Sequence, residues 1–396
     1  MDASQPIGAI NPFVYGVNYG PWALVPVDMW PMVASSGVTY LRFPAGNWGD
    51  QNNISEPQLD LFITQARQWH AEPHIHVRLQ NGTPEQAAEL VRYANIEKGY
   101  NVRYWSIGNE PNLFKDYTVD QFNKDWRPIA EAMLKVDPKI ILTGPEVSQY
   151  PPTTDPSDYQ APLREWVRQF LKVNGDLVGL VSIHRYPFPL SMNSGAETDD
   201  QIRANPNEWD TIIPDLHAVI KDAIGHDLPV AVTEVNSNWD NGASAPTTFI
   251  HAIWWADVLG RLIRQQVEIV NYFALFTKDS NFGLLARYDA RPAYYVYLLY
   301  KQFGTQLLTS ASTDNDVSVT AATKDDGSLT LMVVNRAAEA KTIPLAIKGF
   351  TASGAAAVWL LDKDHKAENT GTQDLSTGTL SLPAESVTLY IAPASK

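Results

Sequence analysis

Two glutamates each end a short apolar run. In Tyr104-Trp105-Ser106-Ile107-Gly108-Asn109-Glu110-Pro111 the β-favouring residues stop at a carboxylate, and Pro111 ends any ladder. Val230-Ala231-Val232-Thr233-Glu234 does the same. A carboxylate at the end of a buried strand must be paired or used, because burying an unpaired charge is costly. Two carboxylates facing one another can cleave a glycosidic bond. One protonates the leaving oxygen, and the other attacks the anomeric carbon or activates water. Separations of ~5–5.5 Å favour retention of configuration, and ~6.5–9.5 Å inversion. Such chemistry needs no cofactor and no metal, and neither is expected.

Bringing the two acids together requires a frame. Strand-like and helix-like segments alternate from Phe13 to Phe303. Candidate strands are Phe13–Tyr19, Val38–Phe43, His74–Leu79, Arg103–Glu110, Lys139–Thr143, Leu177–Ile183, Leu228–Glu234 and Val267–Phe276. Helical spacing separates them, as over Glu56–His70, where Leu59, Phe62, Ile63, Ala66 and Trp69 share a face. Thr83 with Gln86, and Thr118 with Gln121, have the form of capping boxes. The strands read as mostly continuous apolar runs, the pattern of a parallel sheet covered on both faces. About eight such units imply an α/β protein built on a closed (β/α)8 TIM barrel. No Gly-rich phosphate or dinucleotide loop occurs.

After residue 304 the helical spacing stops. Val317–Thr323, Leu329–Val334, Thr342–Ile347, Ala357–Leu361, Thr379–Leu382 and Val387–Ile391 read as a C-terminal antiparallel β-sandwich. The expected domains are a catalytic barrel at 13–303 and a sandwich at 304–396, with residues 1–12 as a candidate edge of the latter.

In such barrels reactive groups sit at the C-terminal ends of the strands. Those ends carry Asn18 and Tyr19; Arg42 with Asn47 and Trp48; Gln80 and Asn81; Asn109 and Glu110; Glu146; His184 and Tyr186; Glu234 and Asn236 with Trp239 beyond; and Phe276 with Lys278. Glu146 reads as a rim or structural group. His74 and His76 share a strand face but are expected at the strand start, away from the site. Trp22, Trp48 and Trp239 could stack on sugar rings.

Trp105-Ser106-Ile107-Gly108-Asn109-Glu110-Pro111-Asn112 resembles the Asn-Glu-Pro motif that ends strand four in the retaining glycoside hydrolases of clan A. Val232-Thr233-Glu234-Val235-Asn236-Ser237 is similar to their strand-seven nucleophile motif. Ile107–Pro111 and Leu41–Asn47 are most similar to families 51 and 79. The sandwich matches what families 39, 51, 44 and 79 carry, and no single family fits throughout. The resemblance implies Glu110 as acid/base and Glu234 as nucleophile. It places Asn109 at the sugar 2-hydroxyl, and Arg42 with His184 or Tyr186 beside Glu234 to hold it ionised. Phe276 would stand where many members place a Trp under the reacting sugar. Asn47, Trp48, Asn236 and Trp239 complete the candidate substrate-binding set. The implied reaction is double displacement on a neutral β-linked polysaccharide or oligosaccharide of glucan or xylan type. An exo-acting arabinofuranosidase, xylosidase or glucuronidase is the alternative, and a non-catalytic glycan-binding barrel the alternative of another class.

The net charge of −14 in 396 residues argues against nucleic acid or an anionic membrane as partner. Cysteine is absent, which excludes disulfides and thiolate metal sites. The first residues lack the basic and apolar regions of a leader. The expectation is a secreted protein without its signal peptide, with the cytoplasm as the alternative.

Overall fold

Eight parallel strands close on themselves in chain order in the computed structural model, which describes residues 1–188, 197–239, 247–278 and 282–395. A first strand, β1 (Asp2–Ala9), lies outside the barrel. The barrel strands are β2 (Gly16–Asn18), β3 (Tyr40–Phe43), β4 (Glu72–Val77), β5 (Tyr104–Ile107), β6 (Ile141–Val147), β7 (Val178–Arg185), β8 (Val230–Val235) and β9 (Ile269–Tyr272). Around them run α1 (Trp30–Ser36), α2 (Trp48–Gln51), α3 (Glu56–Gln68), α4 (Pro84–Val91), α5 (Val119–Val136), α6 (Pro162–Asn174), α7 (Asp199–Ala204), α8 (Trp209–Ile224), α9 (Phe249–Arg264) and α10 (Pro292–Tyr300).

Three differences from the sequence reading matter. Phe13 belongs to a 3₁₀ turn, Pro12–Tyr15, that precedes β2. Its ring meets Tyr40 and Tyr104 at 5.1 and 5.7 Å, and with Leu180, Ala231 and Ile269 it fills the lower barrel. The loop after β3 holds the short helix α2. The last barrel strand stops at Tyr272, four residues before Phe276.

The strands are not uniformly apolar. Leu41, Ile75, Trp105, Leu142, Val181, Val232 and Val270 join the core beneath the helices. The alternate positions carry polar groups, and these meet inside the barrel. Asn18 Nδ2 donates to Thr233 O at 3.0 Å, and His74 Nε2 lies 3.4 Å from Thr143 Oγ1. Successive side chains point to opposite faces, and here the inner face becomes polar towards the mouth.

Past the barrel a short hairpin joins β10 (Leu285–Ala286) and β11 (Asp289–Ala290). The C-terminal strands are β12 (Gln306–Thr309), β13 (Val317–Thr323), β14 (Leu329–Asn335), β15 (Lys341–Pro344), β16 (Ala356–Leu361), β17 (Lys366–Gln373), β18 (Thr379–Leu382) and β19 (Ser386–Ala392). They form an antiparallel seven-stranded sheet, β1-β12-β13-β14-β19-β16-β17, and a two-stranded ribbon, β15-β18. Leu329, Leu331 and Val333 of β14 face a core shared with Leu380 and Leu382 of the ribbon. Met332 and Val334 face the barrel core instead. Among the described residues no helix is long and apolar enough to cross a membrane.

Candidate active site

The ends of β3, β5, β6, β7 and β8 converge on one buried cluster. At β5 the chain turns through Gly108 at φ 83° and Glu110 at φ 48°. A side chain on Gly108 would come 2.7 Å from Leu79 Cδ2, so the turn depends on glycine. Asp50 of α2 fixes this turn. Its Oδ2 accepts from Asn109 N at 2.6 Å, and its Oδ1 from Leu79 N at 2.9 Å. Nothing in the sequence singles out Asp50, an acid inside a polar loop.

Glu234 is almost fully enclosed. Its Oε1 accepts from Arg42 Nη1 at 2.8 Å and from Gly46 N at 3.1 Å. Its Oε2 accepts from Tyr186 Oη at 2.8 Å. Burial, and then the Glu234 charge, push the Tyr186 pKa well above the usual range, so the phenol stays a donor. Glu110 is more accessible, with 14% of its side chain exposed, and its Oε1 lies 3.1 Å from His184 Nδ1. His184 Nε2 lies 3.1 Å from Thr233 Oγ1. Burial disfavours a charge on His184, but Glu234 and Glu110 outweigh it and raise its pKa above the ordinary value. Oxygens of Glu110 and Glu234 and a ring nitrogen of His184 lie within 4.8 Å of one another. Such a trio could bind a cation, yet both Glu234 oxygens already accept hydrogen bonds, one of them from a guanidinium.

Arg42 is fully buried and links the whole cluster. Nη1 also reaches Asn18 Oδ1 at 3.2 Å, and Nη2 reaches Asn109 Oδ1 at 2.9 Å. Nη2 further pairs with Glu146. Burial opposes the charge on Arg42, and Glu146 and Glu234 more than restore it. Glu146 is 1% exposed, so it is no rim residue. Burial alone would raise its pKa; Arg42, with His184 behind it, holds it down to about 2.

The remaining candidates divide. Asn47 is exposed and accepts from Asn109 Nδ2 at 3.1 Å, while Trp48 opens α2 half-buried. Asn236 Nδ2 donates to Phe273 O at 2.6 Å. Trp239 is 40% exposed and meets Tyr186 edge-on at 6.5 Å. Phe276 is only 3% exposed and packs in the core. Phe273 follows directly on β9. It lies edge-on to Tyr186 at 6.4 Å and parallel to Trp22 at 5.9 Å. The sequence signal was an aromatic near the end of β9, with the strand end misplaced. His74 and His76 do not lie away from the site. β4 puts His74 in register with Arg42, and His76 Nδ1 lies 3.1 Å from Pro44 O, just past β3.

No family model matches the chain. It is 26% identical over 237 residues to heparanase of Bos taurus, a match covering 57% of this chain and 40% of that protein. The figures for heparanase of Gallus gallus are 26% over 237 residues, 57% and 42%. The chain thus spans about two-fifths of the length of these curated relatives. Solved structures match over nearly the whole chain. CelM2, a bifunctional glucanase-xylanase from a metagenome library, superposes with a TM-score of 0.77 at 19% identity, covering 100% of this chain and 98% of that one. AbfB, a family 51 α-L-arabinofuranosidase from Bifidobacterium longum, gives 0.78 at 15% identity, covering 99% and 98%. A Paenibacillus polymyxa xyloglucanase of glycoside hydrolase family 44 gives 0.76 at 16% identity, covering 100% and 98%. Barrel and C-terminal sheet together are the fold of these clan A glycoside hydrolases.

Proposed function

We propose that the chain is a retaining glycoside hydrolase that works by double displacement, with Glu234 as nucleophile and Glu110 as acid/base. The observation that carries this reading is the approach of the two carboxylates within 4.8 Å at the ends of β5 and β8. That spacing suits direct attack by one carboxylate and leaves no room for the water an inverting enzyme places between them.

The surroundings support different roles for the two acids. Arg42, Gly46 N and Tyr186 give Glu234 three donors, the surroundings suited to a carboxylate that attacks the anomeric carbon. Glu110 has one ring nitrogen beside it and faces the mouth, where it can hand a proton to the leaving oxygen. Once Glu234 is bonded to the sugar its charge is gone, and Glu110 can take a proton from the incoming water. Asn109, pinned by Asp50 and Arg42, is placed to meet a sugar hydroxyl.

The substrate we propose is a neutral β-linked glucan or xylan. The Trp22–Phe273–Tyr186–Trp239 series offers aromatic faces beside the nucleophile. Both terminal nitrogens of Arg42 are already committed to carboxylates. The arabinofuranosidases among the structural neighbours keep the exo-acting reading alive. Action on a panel of glucans, xylan, arabinan and aryl glycosides separates the two. Glu234→Ala and Glu110→Ala should each abolish most turnover, with Glu110→Ala losing about 10²–10⁴-fold. Proton NMR should show first-formed product with the substrate's own anomeric configuration. Inverted product, or full activity in either variant, overturns the reading.

A further inference from the structure

Glu146 is a buried acid that the double-displacement scheme does not use. It closes β6, and its Oε2 binds Arg42 Nη2 while Nη1 of the same guanidinium holds Glu234 Oε1 at 2.8 Å. One cation therefore bridges two carboxylates, each at most 5% exposed. Glu146 Oε2 also lies 3.9 Å from His184 Nε2, the opposite side of the ring that meets Glu110. Its main-chain oxygen accepts from Glu110 N at 3.2 Å. Glu146 thus touches the nucleophile through Arg42, and the acid/base both through His184 and through its own backbone. The titratable and charged groups facing it are the Arg42 guanidinium from β3 and the imidazoles of His74 and His76 from β4 and of His184 from β7.

A guanidinium free to pair with one carboxylate takes it bidentately, with two parallel hydrogen bonds. Glu234 would then have to break both as it moves onto the anomeric carbon. With Nη2 taken by Glu146, Arg42 holds Glu234 through Nη1 alone, so the nucleophile has one guanidinium bond to give up. The same carboxylate stands 3.9 Å from His184 Nε2, the nitrogen beside Thr233 Oγ1.

We propose that Glu146 is a positioning residue for this reaction, dividing Arg42 between itself and the nucleophile and standing as an anion behind His184, whose ring Thr233 holds against Glu110. This rests on the assignment of Glu234 as nucleophile. Glu146 makes no contact with the reacting atoms of its own.

Glu146→Gln keeps the shape and removes the charge. With the dinitrophenyl glycoside that the unaltered protein hydrolyses fastest, kcat should fall 10- to 100-fold while KM stays within about twofold. The basic limb of the pH–rate profile should move to lower pH, because the site has lost an anion. Glu146→Asp, which keeps the charge, should recover part of both. Heteronuclear NMR of the His184 ring, which needs no substrate, should show it titrating at lower pH in Glu146→Gln. An unchanged kcat per folded molecule with an unchanged profile and His184 titration would make Glu146 merely structural and overturn the proposal. If the unaltered protein hydrolyses nothing in the panel, the glycosidase reading fails, and the His184 titration still decides the coupling. Should Glu146→Gln fail to fold, Glu146→Asp read in the same ways decides: its shorter reach must lower kcat and shift the profile.

Discussion

Tyr186 shows how much one hydroxyl is asked to do. It donates to Glu234 Oε2 at 2.8 Å in a buried setting. A hydrogen bond to a charged group contributes about 1.5–3 kcal/mol. Tyr186→Phe should therefore lower kcat/KM roughly 10- to 100-fold toward an aryl glycoside, with thermal stability little changed. Two other buried side chains set the acid limit of stability. Burial holds His74 at about 3 and His251 at about 4. Both are neutral in the fold, whereas the unfolded chain gains their protons below about 6.5. The unfolded state then binds more protons, so stability falls as pH drops from about 6.5 toward 4. Urea midpoints at pH 7, 6, 5 and 4 should decline in that order. A flat series would mean that these rings are charged in the fold. At this scale the sequence disclosed Glu110 and Glu234, because each ends an apolar run inside a recognisable motif. It did not disclose Phe273, and it left Glu146 as a rim or structural group. Which aromatic faces the mouth depends on where β9 stops, and that is fixed by pairing with β2 and β8.

Elements position these groups through their ends. The turn after β5 is the clearest case, with Gly108 at φ 83° against Leu79. Gly108→Ala should shift Asn109 and Glu110 together. Activity should drop more than tenfold, and protection of the Asn109 amide, which binds Asp50, should weaken in hydrogen exchange. The helices were legible where a capping residue stands at their start: Thr118 Oγ1 accepts from Gln121 N at 3.3 Å at the head of α5. Thr83 does the same for α4, but beyond Val91 that helix widens into a π turn, Arg92–Glu97, which apolar spacing does not signal. β17 escaped notice because Lys366–Gln373 is a polar, mostly exposed edge strand with no apolar alternation. The polar interior of the barrel escaped for another reason. A run such as Ser182-Ile183-His184 reads as mixed until the closed topology assigns its two faces.

The whole molecule is joined across the barrel–sheet boundary by charge as well as by apolar packing. Asp257 of α9 is fully buried and pairs with Arg261 Nε and with Arg336 Nε, each at 3.0 Å. Arg264 reaches Val319 O at 3.0 Å on β13. Asp257→Ala leaves two buried guanidinium groups short of an anion, a loss of about 3–5 kcal/mol. The thermal midpoint should fall by several degrees, with kcat per folded molecule unchanged. A midpoint within a degree of the original would show that water replaces the pair. The two-part organisation was legible from the loss of helical spacing after residue 304. The sharing of β14 between two cores was not, since both faces of that strand are apolar.

β1 has a consequence in time. Its partner in the sheet is β12, and Gln5 and Thr309, which are linked by a hydrogen bond, stand 304 positions apart. A ribosome adding about 5–20 residues per second would take on the order of tens of seconds to supply that partner. Throughout that interval β1 waits without β12. Pro6, at a break in its register, denies an incoming strand one donor, the kind of safeguard such a wait calls for.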